Sequence, residues 1–201
     1  MLVKRLLLLC LAAFVAGCGS PGARQPDGEL EKLALAAASG DRIAQYDLAV
    51  AYYVGREAPQ DYAKAAALWR PLAETDFPEA CNNLGYLTYY GLGVPEDPAA
   101  GIRLWRKAVR LGVSESSYHL GFAALDGKEL PRDPVEAFAR LRAAVLMPGS
   151  APDADEREII ELATAKLREV SPSLSPSERA RGESMARAYA AESVRPPRAP
   201  E

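Results

Sequence analysis

The strongest constraint on this chain is a period. Shifted by 36 residues, Leu48 falls on Leu84 and Leu84 falls on Leu120. In the same register Gly55, Gly91 and Gly127 coincide, then Pro59, Pro95 and Pro131, then Asp61, Asp97 and Asp133. Ala44 meets Ala80 and Ser116, Leu68 meets Leu104, and Trp69 meets Trp105, with Leu141 in the third copy. No gap is needed anywhere. Self-similarity at a fixed period in the thirties marks a helical repeat array, in which one unit cannot bury its apolar face without a neighbour.

Local spacing places two helices in each copy. The first runs about eleven residues, as in Ala44–Val54, and ends at a glycine, where a helix C-terminus favours a left-handed residue. Ala44, Leu48, Tyr52 and Gly55 fall on one side of it, and Tyr46, Val50 and Tyr53 fall roughly opposite. Small residues at Ala49, Gly85 and Gly121 permit a paired helix to come close. The second helix begins at Asp61, Asp97 or Asp133, each a strong N-cap, with Pro98 and Pro134 just inside, where no N–H is missed. Asp133 with Glu136 has the spacing of a capping box. Trp69 and Trp105 read as repeat core. Pro71, inside the second helix of copy one, predicts a bend or an early end.

The pattern A-x-x-x-L-G, then Y-x-x-G-x-G-V, then D-x-x-x-A-x-x-x-W-x-x-x-A runs nearly complete through residues 80–113. Residues 44–77 and 116–149 carry it in part. It resembles the Sel1-like repeat, a relative of the tetratricopeptide repeat. The resemblance implies an all-α, right-handed α-solenoid of antiparallel helix pairs that serves as a protein-binding scaffold, with first helices lining a concave surface. On that surface Tyr46, Tyr53, Tyr86, Tyr89, Tyr90, Tyr118 and Phe122 would form an aromatic row. Tyrosine joins large apolar area to a polar tip, which suits capture of a peptide or helix. The other reading is that these rings pack between adjacent first helices and never meet a partner.

The ends read separately. Residues 1–17 combine a positive start at Lys4 and Arg5 with an apolar run over Leu6–Val15, the length of a signal-peptide core and too short to span a bilayer. Val15-Ala16-Gly17-Cys18 resembles a bacterial lipobox, which makes Cys18 the lipidated residue and a lipid anchor the link to the membrane. Gly19 in place of Asp favours the outer membrane under lipoprotein sorting, so the expected location is its periplasmic side. Residues 18–28, rich in Gly and Pro, read as a flexible tether. Within an expected repeat domain at 29–192, Glu29–Ser39 matches the second helix of a truncated leading unit. Residues 154–169 and 176–191 read as closing helices, and 193–201 as a disordered Pro-rich tail.

Chemistry is scarce. His119 is the sole histidine, no CxxC spacing occurs, and Gly91-Leu92-Gly93 lacks the strand and the further glycine of a phosphate loop. No catalytic residue, cofactor site or metal site can be named, and His119, in register with Asp47 and Asn83, reads as an ordinary polar helix position. A net charge of −3 argues against nucleic acid. Some Sel1-like proteins carry a disulfide in each repeat. Here processing at Cys18 would leave Cys81 alone, so stability must come from packing. The expectation is a non-enzymatic scaffold holding a periplasmic or outer-membrane protein. A pilotin-like or export-complex assembly factor is the alternative, and a cell-wall-active or penicillin-binding enzyme a more remote one.

Overall fold

The structure, a computed structural model, describes residues 28–55, 58–129, 131–147 and 152–193. The signal-peptide stretch, Cys18 and the tail from residue 194 lie outside the described residues. Among the described residues every long element is an α-helix and no strand occurs. In order they are α1 Gly28–Ala38, α2 Arg42–Val54, α3 Tyr62–Glu74, α4 Pro78–Tyr90 and α5 Pro98–Arg110. Then come α6 Ser114–Asp126, α7 Pro134–Leu146, α8 Ala154–Val170 and α9 Pro176–Ala191, with a short 3-10 turn at Ser171–Ser173. Helices α2 to α7 are 13 residues each. First helices start at 42, 78 and 114, and second helices at 62, 98 and 134, so the period survives intact.

Two kinds of joint make this regularity. Inside each repeat, Gly55, Gly91 and Gly127 end the first helix at φ 72°, 69° and 77°, a left-handed conformation that costs glycine nothing. The chain then folds back. Asp61 N–H donates to Tyr52 O at 2.8 Å, Asp97 N–H to Thr88 O at 2.9 Å, and Asp133 N–H to Ala124 O at 2.9 Å. Each aspartate also caps its helix, accepting from Lys64, Ala100, or Val135 and Glu136 backbone N–H groups. The expected caps are therefore in place.

Between repeats, the second helix ends in a Schellman turn. Phe77 N–H donates to Leu72 O and Val113 N–H to Ala108 O, each at 3.0 Å. Asp41 N–H makes the equivalent bond to Ala36 O at 3.1 Å. That match identifies α1 as the second helix of a truncated leading unit. The left-handed residues of these turns are Gly40, Asp76 and Gly112. Asp76, at φ 61°, is the one non-glycine with positive φ among the described residues, and Lys107 Nζ holds its carboxylate at 2.7 Å.

Packing runs along the sequence: α2 on α3, α3 on α4, and so on to α7, against which α8 and α9 both lie. One apolar cluster spans repeats one and two around Trp69, Leu72, Leu84 and Leu87. A second joins Tyr89, Trp105, Val109 and Leu120, and a third joins Phe138 and Leu141 to Ile159, Ala163 and Leu174. The two closing helices thus seal repeat three, as their sequence suggests. Cys81 is buried and unpaired, its Sγ 3.5 Å from Ala73 O.

Hairpin helices touch where side chains are smallest. Ala49 and Ala65 are fully buried in repeat one, and Gly85 and Gly101 take their places in repeat two. A Cβ added to Gly85 would lie 2.8 Å from Trp105 Cδ1 and 2.9 Å from its Nε1. One added to Gly101 would meet Tyr89 Cβ at 2.7 Å and Gly85 O at 2.9 Å. Because Gly85 is bare, Trp105 comes close enough to donate Nε1–H to Asn82 O at 3.2 Å. In repeat one Ala49 occupies that space, and Trp69 Nε1 finds no partner.

Two local expectations need correction. Pro71 does not shorten α3, which keeps the common length. Pro71 and Ala67 both lie on the exposed side, so the carbonyl four residues back can be hydrated, and Thr75 Oγ1 donates to Pro71 O at 3.1 Å. The capping box of Asp133 and Glu136 does not close, because Glu136 is drawn elsewhere. Its Oε1 accepts from Arg140 Nε and its Oε2 from Tyr189 Oη, each at 2.7 Å. Reciprocal boxes form instead at Asp153–Glu156 and Ser175–Glu178. The first helices are covered on more than one side: Val50 is in the core, and α4 is buried over most of its circumference.

Candidate functional site

Helix α4 stands between α3 and α5, and side chains on its remaining face reach the other first helices. Buried Asn82 and Asn83, 2% and 3% exposed, form the link. Asn83 Nδ2 donates to Tyr46 Oη on α2 at 3.1 Å, and Asn82 Nδ2 donates to Asn83 Oδ1 at 3.2 Å. Ser116 Oγ of α6 donates to Asn82 Oδ1 at 2.6 Å. With Trp105 donating to the Asn82 carbonyl, a polar chain crosses all three repeats. Buried amides cost free energy unless paired, so this chain fixes how neighbouring units sit.

The aromatic row divides on this frame. Tyr46 stacks on Phe77 with centroids 5.2 Å apart and planes at 19°. Burial pushes its phenol pKa up, and the carboxylates of Glu79 and Glu115 add to the effect. Tyr53 lies between Tyr62 and Trp69 at 5.4 and 5.6 Å. Tyr89 is 1% exposed, against Trp105 at 4.9 Å, and donates its hydroxyl to Asp126 Oδ2 at 2.8 Å. Burial first, and that hydrogen bond second, push its phenol up. For Tyr89 the expectation of a partner-facing ring is corrected: it faces the core, because its turn of α4 points at α5. Tyr46 and Tyr53 belong mainly to packing between α2 and its neighbours.

The other four form a surface cluster. Tyr90 is 39% exposed, 4.8 Å from the ring of Tyr86, which lies 5.6 Å from His119. Tyr118 and Phe122 are half-buried, their centroids 4.8 Å apart, and Tyr118 meets His119 edge-on at 5.8 Å. His119 is the member that sequence reasoning missed. Its ring stacks on Trp105 at 5.0 Å and 20°, and Nε2 lies 3.5 Å from Glu115 Oε1. The available signal was its register with Asn83, whose side chain bridges repeats one and two.

Chemically, the site offers rings, hydroxyls, one imidazole and carboxylates. Among the described residues no group of three or more His, Cys, Asp or Glu is placed to hold a metal ion. No described helix is long and apolar enough to cross a membrane.

The Sel1 repeat profile matches residues 42–74, 78–113 and 114–139; each match starts where a first helix starts, the first two cover whole helix pairs and the third stops inside α7. This is a Sel1-repeat chain. Its all-helical array is the α-solenoid of that family. A Sel1 repeat protein from Oxalobacter formigenes, known from a crystal structure, is similar over 71% of this chain and 98% of its own, at 25% identity and a TM-score of 0.52. A protective antigen of uropathogenic Escherichia coli strains with an SLR fold shares 22% identity over 85% of this chain, with a TM-score of 0.54. The present chain spans 42% of that antigen's length, and the likeness there is one of fold. Among curated proteins none matches in sequence. Sel1-repeat proteins generally mediate protein–protein interaction, and the scaffold is generally non-catalytic.

Proposed function

We propose that this Sel1-repeat chain is an outer-membrane-anchored periplasmic lipoprotein. In this reading lipid on Cys18 fixes its location, and the first-helix face holds a partner protein without catalysing a reaction on it. The observation that carries the binding half is the cluster of Tyr86, Tyr90, Tyr118 and Phe122. Tyr90 keeps 39% of its surface open where a ring this size would gain by burial. The lipobox-like Val15-Ala16-Gly17-Cys18 supports the anchoring half. Three acyl chains, at ~0.8 kcal/mol per buried CH₂, would make attachment firm.

Each half has its own test. Metabolic labelling with a clickable fatty acid should mark the wild-type chain in membranes and leave Cys18→Ser unlabelled. Label retained by the variant removes the anchor. For the face, a photo-crosslinker in place of Tyr90 should give one dominant adduct in intact cells, lost when Tyr86 and Phe122 are both changed to Ala. An adduct pattern indifferent to those substitutions removes the face from the reading.

A further inference from the structure

Register sorts charge between the two walls of the array. Helices α4 and α6 contain no Lys or Arg at all, and α2 has only Arg42, which is spent on Thr75 through two 3.0 Å hydrogen bonds. The first helices instead carry Asp47, Glu79, Glu115 and Asp126. Glu79 and Glu115 are equivalent under the 36-residue shift, as are Tyr86 and Phe122, or Tyr90 and Asp126. On each helix these positions recur at i, i+7 and i+11, which is one stripe. The opposite sign collects on α5, where Arg103, Arg106 and Arg110 are exposed.

The acids on the stripe are short of cations. No ion pair reaches Glu79 or Asp126 among the described residues; Asp126 accepts only the neutral Tyr89 hydroxyl, and Glu115 faces His119. The rings beside them already attract ammonium groups. Lys128 Nζ sits 5.4 Å from the centroid of Tyr90, and Lys166 Nζ sits 5.2 Å from that of Phe122. Those two lysines are engaged by Glu96 and Glu169, so they border the stripe without neutralising it. Carboxylates next to part-exposed aromatic rings recognise the head and the stem of a long basic side chain together, and an incoming basic residue can take the place of Lys128 or Lys166 over its ring.

From this charge complementarity we infer that the partner presents a basic, extended segment to the stripe, its Lys or Arg side chains set over Tyr86, Tyr90 and Phe122 and paired with Glu79, Glu115 and Asp126. Side chains of α4 and α6 meet directly, Ser116 on Asn82 and His119 on Tyr86. Helices in side-chain contact lie roughly 10 Å apart and an extended chain advances about 3.3 Å per residue, so successive contacts call for basic residues about three apart. The inference rests on the binding role proposed above and adds the chemistry of the occupant.

Three labelled peptides test it, each of Leu and Ser with every third residue Lys, Gln or Glu, titrated into the full chain by fluorescence anisotropy. The lysine peptide should bind about ten-fold tighter than its glutamine twin at low salt and lose that advantage as salt is raised. The isosteric variant Glu79→Gln/Glu115→Gln/Asp126→Asn should cancel the advantage while circular dichroism at 222 nm stays as in the wild type at the temperature of the titration. A lysine peptide no tighter than the glutamine one, whether both bind or neither does, overturns the inference. So does a lysine preference that survives the triple variant. The same variant in the photo-crosslinking experiment separates the two readings: an adduct lost with Tyr86→Ala/Phe122→Ala but kept in the triple variant leaves the face standing and the basic partner refuted.

Discussion

Changing Gly85 to Ala sets two effects against each other, and the structure says which is larger. Alanine is the better helix former by about 1 kcal/mol, so a lone helix would gain. Here the new Cβ would sit 2.8 Å from Trp105 Cδ1 and 2.9 Å from Nε1. Trp105 is confined by His119 at 5.0 Å and Tyr89 at 4.9 Å, so it cannot step aside without disturbing both. Overpacking of this kind costs about 1–3 kcal/mol. Moving the indole also breaks its bond to Asn82 O and leaves a buried N–H unpaired, which costs ~1–3 kcal/mol more. The balance is a loss of about 3 kcal/mol, or roughly 6–12 °C in Tm for a domain of this size. Circular dichroism at 222 nm follows the helices, and tryptophan fluorescence reports the indoles, so melts by both probes measure it. The pair should agree if the array unfolds as one unit, since nearest-neighbour interfaces carry a solenoid's cooperativity. A variant as stable as the wild type, or stabilised by the propensity gain, refutes the reasoning. It would mean that the contact between α4 and α5 is slack.

Two further outcomes follow from the polar chain and from the tyrosines. Asn82→Ala strips Ser116 Oγ and Asn83 Oδ1 of their partners, so urea unfolding should show a loss of about 2–4 kcal/mol; a loss under 1 kcal/mol would show that the network is dispensable. At high pH the array should weaken. Tyr189 is pushed up to about 12 by burial and by its bond to Glu136, and burial raises Tyr46 and Tyr89 as well. The folded state therefore keeps protons that the unfolded chain has released above pH 10, so stability is full below about 10 and falls as pH climbs towards 12. Denaturant melts from pH 9 to 12 should show the decline, made shallower by Tyr189→Phe; a flat profile contradicts the sign.

Much of this was legible in the sequence because repetition averages out local ambiguity. A single Asp before an apolar stretch is a weak helix start, whereas Asp61, Asp97 and Asp133 at one interval leave little choice. Gly55, Gly91 and Gly127 are readable for the same reason. What stayed hidden depends on contacts between repeats. A helical wheel offers two sides, but α4 meets neighbours on three, so it could not say that Tyr89 turns inward while Tyr90 turns out. Asn82 and Asn83 look like surface amides until Tyr46 and Ser116 are brought beside them. Glu136 carries the right spacing for a capping box and loses it to Tyr189, 53 residues away. The register of His119 with Asn83 marks a shared helix position but not the Trp105 ring that lies against it.

The three Schellman turns have an evolutionary corollary. Since each joint uses the same backbone bond, excising residues 78–113 would splice Phe77 to Ser114 with the same turn before it and a comparable helix start after it. Shortening the array is thus cheap for the backbone. It is costly for the side chains: only the middle unit brings paired asparagines and a glycine-backed indole, so a two-unit descendant would keep a sound joint and lose the keystone.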